Sequence, residues 1–475
     1  MIQTSRRSFL AAGALAALAA GCAPLPASPV ASSGGGEDAF LDDVQRRTFR
    51  FFWETSAGDN GLALDRWPTR SFVSIAATGF ALTAFAIGAQ RGFVDRPAAA
   101  ARALRTLRFL AEAPQGDAPR GMTGHRGFFY HFLDPATGTR FEKTELSTID
   151  TALLLAGALF AKGWFDRPEE RAIGELADRI FDRVDWRWAM PRPPLIALGW
   201  HPETGFLTHD WVAYNEAMLL YVLALGARQS PAPEGSWSAW LAPAAGQWRA
   251  VEGIPHLPFP PLFGHQYSHI WVDFRGVRDS FCRAHDIDYF ENSRRATLAQ
   301  RAYAIRNPMG WTGYGADQWG LTACDGPADA ELVIAGRKRS FRSYSARGPG
   351  EYDDGTIAPT AAGGSVPFAP EICIPALQAM AYRHGEALYG PLGFADSFNP
   401  SFADPALPAR HGRVIPGKGW YDTDRLGIDQ GPILAMIENH RSGLVWNVMR
   451  GDPVIARGLK RAGFTGGWLA GSAAA

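Results

Sequence analysis

Four carboxylate-bearing segments of this chain are spaced for acid–base work. The first is Thr144-Glu145-Leu146-Ser147-Thr148-Ile149-Asp150. Ser147 with Asp150 reads as a variant capping box, and an acid in a first turn suits the helix dipole. Glu145 lies just ahead of that turn and is freer to face a cavity. The second segment is Trp211-Val212-Ala213-Tyr214-Asn215-Glu216-Ala217-Met218. On a helix over 210–225, Val212, Ala213, Leu219, Leu220 and Leu223 surround Glu216. A carboxylate on an apolar face is costly unless it is neutral or paired. Either burial raises its pKa, as a general acid at neutral pH requires, or an arginine pairs with it.

The third segment runs from Gly419 through Asp422, Asp424 and Asp429 to Pro432. Asp429 is either a base near exposed loops or the N-cap of the helix that Pro432 helps begin. Asp422-x-Asp424 opens like a calcium loop, but no further ligand pattern follows. The fourth is the loop 311–327, with Trp311, Trp319 and Asp325, followed by Asp353-Asp354-Gly355. Aromatic faces beside carboxylates suit sugar rings, although Asp-Gly pairs also form turns. His265 and His269 share a helical spacing. Without a third ligand they are read as hydrogen-bonding to substrate or core rather than to a metal. The chain has no Gly-x-Ser-x-Gly elbow and no His-Glu-x-x-His motif.

Helical periodicity supplies the elements that must position these acids. It predicts helices over 38–56, 73–89, 96–113, 147–162, 168–184, 210–225, 236–249, 288–306, 371–387, 430–442 and 453–463. Between them lie long loops at 114–146, 250–287, 307–370 and 388–429, with short hairpins expected around Phe128–Phe141. No βαβ rhythm, phosphate loop or internal repeat is visible. The expected fold class is all-α, with inner helices wrapped by outer ones in an (α/α) toroid and loops at one end sharing a cavity.

Composition narrows the function further. Lys+Arg and Asp+Glu balance at 47 each, which gives no basic surface for nucleic acid. The 16 tryptophans are many for one chain and supply flat faces for sugars, or simply core. Arg6-Arg7 before Phe9-Leu10 resembles a twin-arginine export signal, with an apolar stretch too short to span a membrane. Ala19-Ala20-Gly21-Cys22 resembles a lipoprotein cleavage box that would put the lipid on Cys22; the alternative is plain cleavage near Ala27. The expected layout is a signal over 1–22, a Pro/Ala/Ser/Gly-rich tether over 23–37 and a single domain over 38–475. The signal's removal leaves 45 basic side chains against 47 acidic. The expected location is a bacterial periplasm or outer membrane. Cys282, Cys324 and Cys373 remain, an odd number without a Cys-x-x-Cys pair, so neither a disulfide framework nor structural zinc is expected.

Several stretches together carry a family resemblance. They are Phe-Arg-Phe-Phe-Trp-Glu (49–54), Ser-Thr-Ile-Asp-Thr-Ala-Leu-Leu-Leu-Ala-Gly (147–157), Tyr-Asn-Glu-Ala-Met (214–218) and Gln-Tyr-Ser-His (266–269). Asp-Tyr-Phe-Glu-Asn-Ser-Arg (288–294), Trp-Gly-Leu-Thr-Ala-Cys-Asp-Gly-Pro (319–327), Gly-Ile-Asp-Gln-Gly-Pro (427–432) and Gly-Phe-Thr-Gly-Gly-Trp-Leu (463–469) complete the set. The chain resembles the glucoamylase-like bacterial proteins grouped with the endo-β-1,2-glucanases of glycoside hydrolase family 144. The resemblance implies an (α/α)6 barrel, a glucan or oligosaccharide substrate, anomer-inverting hydrolysis and no cofactor or metal. It implies Glu216 as general acid, with Asp429, then Asp150, then Asp424 as candidate base. Glu145, Tyr214, Asn215, His265, Gln266, His269, Trp319, Asp325 and Asp424 are the expected substrate-binding residues. The expected protein is a monomer that cleaves β-1,2-glucan. An exo-acting or α-glucan hydrolase and a non-catalytic surface glycan-binding lipoprotein are the alternatives.

Overall fold

The computed structural model describes residues 36–471 apart from Ala57, Ala335 and Pro408. The expected signal, Cys22 and nearly all of the tether lie outside the described residues. Among them run fifteen α-helices. These are α1 (Glu37–Thr55), α2 (Ile75–Gln90), α3 (Arg96–Glu112), α4 (Thr148–Trp164), α5 (Arg171–Asp182), α6 (Met218–Gly226), α7 (Ser236–Leu241) and α8 (Tyr267–Trp271). The rest are α9 (Ser280–Ala284), α10 (Tyr289–Arg306), α11 (Pro359–Gly363), α12 (Pro370–His384), α13 (Gly427–Arg441), α14 (Leu444–Arg450) and α15 (Pro453–Arg461).

The helices divide by burial. α2, α4, α6, α8, α11 and α13 are apolar almost all round and nearly fully buried, as helices inside a large core must be. α5 buries only Ile173, Ala177, Ile180 and Phe181, one stripe of an amphipathic outer helix. α2 packs against both α4 and α13; α4 contacts α6, and α11 lies against α13. α1, α3, α5, α12 and α15 cover this buried set from outside. The α2–α4 contact is close because Gly79 and Gly157 face each other across it: a Cβ on either would run into backbone of the other helix.

Two departures from the sequence expectation have local causes. The helix expected over 210–225 begins only at Met218. Ala213 adopts φ 63°, which no α-helix contains, and the Asn215 side chain accepts the Ala217 N–H at 3.0 Å to close a turn. The stretches expected as loops at 250–287 and 307–370 contain α8, α9 and α11, too short to show a period. The structure is also richer in strands than a few hairpins. Among the described residues, short antiparallel pieces form eight small sheets.

Those pieces matter because they stand at helix N-termini. Val73–Ser74 leads into α2, Leu146–Ser147 into α4 and Arg425–Leu426 into α13. Ser74 and Ser147 cap their helices through side-chain oxygens, accepting from Ala77 N–H and Asp150 N–H at 3.2 Å. Pairing of Ser74 with Phe132, of Ser147 with Phe129 and Gly199, and of Arg66 with Leu426 ties these entry points together.

Candidate active site

Glu216 sits in the turn immediately before α6. Asn215 braces this turn: its amide donates to Val212 O at 3.0 Å, and its oxygen accepts from Ala217 N–H and, at 3.3 Å, from Trp240 Nε1. Ser268, on α8, accepts the Leu219 N–H at 3.0 Å and donates to the Glu216 carbonyl at 2.8 Å. The side chain is held less fully, with one carboxyl oxygen unpartnered. Glu216 Oε2 is buried and has no hydrogen-bond partner. Burial, with a smaller contribution from the Asp150 charge, pushes this carboxyl up to about 7. No arginine pairs with it among the described ion pairs, so the choice left open by the sequence falls to the protonated carboxyl.

Asp150 occupies the third position of α4, where its backbone N–H is taken by Ser147 Oγ and its Oδ2 receives the Ser147 hydroxyl at 2.5 Å. Its Oδ1 lies 3.5 Å from His131 Nε2, and His131 Nδ1 lies 2.8 Å from Glu145 Oε1. Burial raises the Glu145 carboxyl, but the His131 charge and hydrogen bond outweigh it and bring the carboxyl down to about 2.

A second group of acids gathers around Arg66. Its Nη1 is 2.7 Å from Asp325 Oδ2 and 3.6 Å from Asp424 Oδ2, and its Nε is 3.2 Å from Asp65 Oδ2. Burial opposes the Arg66 charge, yet Asp325, Asp65 and Asp424 hold it well above its ordinary value. Asp424 Oδ1 also accepts the Thr69 N–H at 2.9 Å. Asp429, at the third position of α13, shares a hydrogen bond with Asp396. Two carboxyls can share one only through a proton. Burial and the charges of Asp429 and Asp325 push Asp396 well above the ordinary carboxylate range. Asp422 is driven up by burial, then by Asp325 and Asp396. Oxygens of Asp325, Asp396 and Asp422 lie within 4.8 Å of one another, the set among the described residues with the spacing to hold a cation. Asp325 is already engaged by Arg66, and Asp396 Oδ2 by the Asp325 N–H at 2.7 Å.

The site thus offers a carboxyl that keeps its proton near neutrality and further carboxyls at the N-termini of two buried helices. Acid–base cleavage of an acetal needs a proton donor and a second carboxyl of this kind.

Residues 208–453 match the family model for glycoamylases, described as "Putative glucoamylase". A crystal structure from Bacteroides uniformis with the same description is 31% identical, with TM-score 0.79, covering 92% of this chain and all of that one. The chain belongs to this glucoamylase-like family. It is 28% identical over 462 residues to an exo beta-1,2-glucooligosaccharide sophorohydrolase (non-reducing end) of Parabacteroides distasonis, covering 90% of this chain. It spans only 58% of that relative's length. An endo-beta-1,2-glucanase of Chitinophaga pinensis, solved with sophorotriose and glucose, is 26% identical with TM-score 0.78 and coverage of 92% and 100%.

Within this family member, the residues singled out by sequence divide into three groups. Glu216, Asp150 and Glu145 come together, Asp150 being the charge that acts on Glu216. Asp429, Asp424 and Asp325 join the Arg66 group. The remainder are interior. Tyr214 OH and His265 Nδ1 lie 2.9 Å apart, and His265 Nε2 accepts the Phe259 N–H. Gln266 donates to Ala361 O and Ser365 Oγ, and His269 Nε2 meets Ser293 Oγ at 3.2 Å. Burial holds His269 down to about 3, so it stays neutral. Trp319 is 1% exposed and packs within the apolar core, as do Trp186, Trp240, Trp271, Trp420 and Trp446. These six offer no open face to a sugar, and Asn215 acts on the backbone turn.

Sequence reasoning missed Asp65, Arg66, His131 and Asp396. Asp396 carries a readable signal, a lone acid in the apolar run Gly393-Phe394-Ala395-Asp396-Ser397-Phe398, the same signal that points to Glu216. The other three have none, because only chain folding brings them beside the recognised acids.

Proposed function

We propose that this protein hydrolyses β-1,2-glucan or its oligosaccharides, with Glu216 as general acid. The observation that carries the reading is the Glu216 carboxyl, held at about 7 with its Oε2 buried and unpartnered, on the family's Tyr-Asn-Glu-Ala-Met stretch. The activities named for the Parabacteroides and Chitinophaga relatives support the substrate. Cleavage protonates the glycosidic oxygen from Glu216 while an ionised carboxylate activates water from the opposite face, with inversion at the anomeric carbon. Asp429 is the first candidate for that base, because it stands at the N-terminus of α13 in hydrogen-bond contact with Asp396. The six buried helices and their outer partners fit an (α/α)6 barrel whose N-terminal end holds the cleft.

Incubation with linear β-1,2-glucan should yield short oligosaccharides, and Glu216→Gln should lower turnover by at least ~100-fold, the usual scale of a lost general acid. A ladder of products means endo action, and a single disaccharide means exo action. Absence of reducing sugar from any β-glucan overturns the reading.

The chain is further proposed to be exported, as a monomer anchored through Cys22. The twin arginines and the box ending at Cys22 support this. Fractionation of expressing cells should find the protein in membranes and Cys22→Ser in the soluble periplasm. Retention of both in the cytoplasm refutes export.

A further inference from the structure

With six tryptophans turned into the core, a glucan must find its aromatic faces elsewhere. Three phenylalanines beside the acids supply them. Phe72, Phe132 and Phe141 are half-buried, and none belongs to the apolar clusters that make up the core among the described residues. They pack on one another instead. The ring centroids of Phe72 and Phe132 lie 3.9 Å apart with planes at 38°, and those of Phe72 and Phe141 lie 5.1 Å apart at 48°. Backbone pairing fixes all three. Phe132 pairs with Ser74 at the entry to α2, the Phe141 N–H donates to Phe132 O at 3.0 Å, and Phe72 O accepts the Asp65 N–H at 2.9 Å.

This aromatic group connects to both sets of acids. On one side the Phe132 ring stacks on His131, with centroids 3.8 Å apart and planes at 21°, and His131 Nδ1 is 2.8 Å from Glu145 Oε1. On the other, Thr69, whose N–H is held by Asp424, is three residues from Phe72, at most ~11 Å of chain. Thr69 and Arg70, between the two, are exposed. Apolar rings left partly in water cost free energy unless something covers them. A pyranose ring has an apolar C–H face of matching size and a rim of hydroxyls that stays wet, and flat aromatic side chains beside a few polar groups suit such a ligand. We propose that Phe72, Phe132 and Phe141 form a binding platform on which a glucose ring of the substrate stacks beside the acids. The proposal rests on the reading of the protein as a glucan hydrolase and adds where the chain of sugars is held.

Titration calorimetry with linear β-1,2-glucopentaose tests this on the full chain carrying Glu216→Gln, which is slowed in turnover. Adding Phe72→Leu or Phe141→Leu keeps apolar bulk but removes a flat ring, and should weaken binding by about 5–10-fold. Phe72→Tyr keeps the ring and should bind as the parent does. In the otherwise wild-type chain, Phe72→Leu should raise KM for the glucan more than it lowers kcat. Equal affinity in the parent and both leucine variants overturns the platform and leaves the glucanase reading standing. An equal loss in Phe72→Tyr and Phe72→Leu would mean that Phe72 serves only to pack, and would refute the platform as well. If the parent binds no pentaose and the wild type releases no sugar from any β-glucan, the glucanase reading falls and the platform falls with it.

Discussion

At Glu216 the protein does what buried acids usually avoid, leaving one buried carboxyl oxygen without a partner. The neutral form is thereby favoured, and a pH dependence of definite sign follows. Activity should fall as pH rises through about 7, where Glu216 loses its proton. Stability moves the same way. The folded value lies above the unfolded one of ~4.3, so the stabilisation is complete below that value and is lost as pH rises to about 7. Chemical denaturation at pH 5 and pH 8 should show the wild type losing of order 1–3 kcal/mol relative to Glu216→Gln. Equal pH dependence in both proteins would show that Glu216 is not the perturbed group.

The elements repeat one device. In Glu145-Leu146-Ser147-Thr148-Ile149-Asp150 a short strand enters α4, and in Asp424-Arg425-Leu426-Gly427-Ile428-Asp429 another enters α13. Each places an acid at the third helical position and a second acid five residues before it, at the mouth of the same strand. An acid there faces the positive end of the helix, which favours its ionised form. This accounts for two similarly placed carboxyls from separate parts of the chain without a long sequence repeat. The device works only if the buried helices keep their relative depth, and the α2–α4 crossing sets that depth through Gly79 and Gly157. Gly157→Ala should destabilise the fold by about 1–3 kcal/mol, the scale of overpacking a core, because the Gly79 backbone has no room to retreat. Urea denaturation measures it.

Across the whole molecule, distant segments are pinned by buried charge. Arg347 and Asp354 are both fully buried, with Arg347 Nε 2.7 Å from Asp354 Oδ1 and Nη1 2.7 Å from the Cys324 carbonyl. Asp354 O in turn accepts from Asn399 Nδ2 at 2.9 Å. This knot lies next to Asp325 in the chain and fixes the segment that meets Arg66. Arg347→Met leaves a buried carboxylate uncompensated and should cost about 3–5 kcal/mol in thermal or chemical unfolding. A loss below ~1 kcal/mol would show that Asp354 finds another partner or a proton.

The sequence by itself determined the helices long enough to show a period: the starts of α1, α3, α4, α10 and α15 fall within one residue of those expected from spacing, and Ser147 caps α4 as read. It also picked out Glu216, because an acid among apolar residues is a local anomaly that needs no neighbour to be seen. The tertiary structure alone decided what surrounds the acids. His131 reaches Asp150 through strand pairing, and Arg66 reaches Asp325 across 259 residues of chain. Asp396 is pushed above the ordinary carboxylate range only because folding buries it beside Asp429 and Asp325. The same folding turned six tryptophans inward, since an indole face suits an apolar core as well as it suits a sugar. Ionisation and burial are set by the sum of neighbours in space, and no local pattern carries that sum.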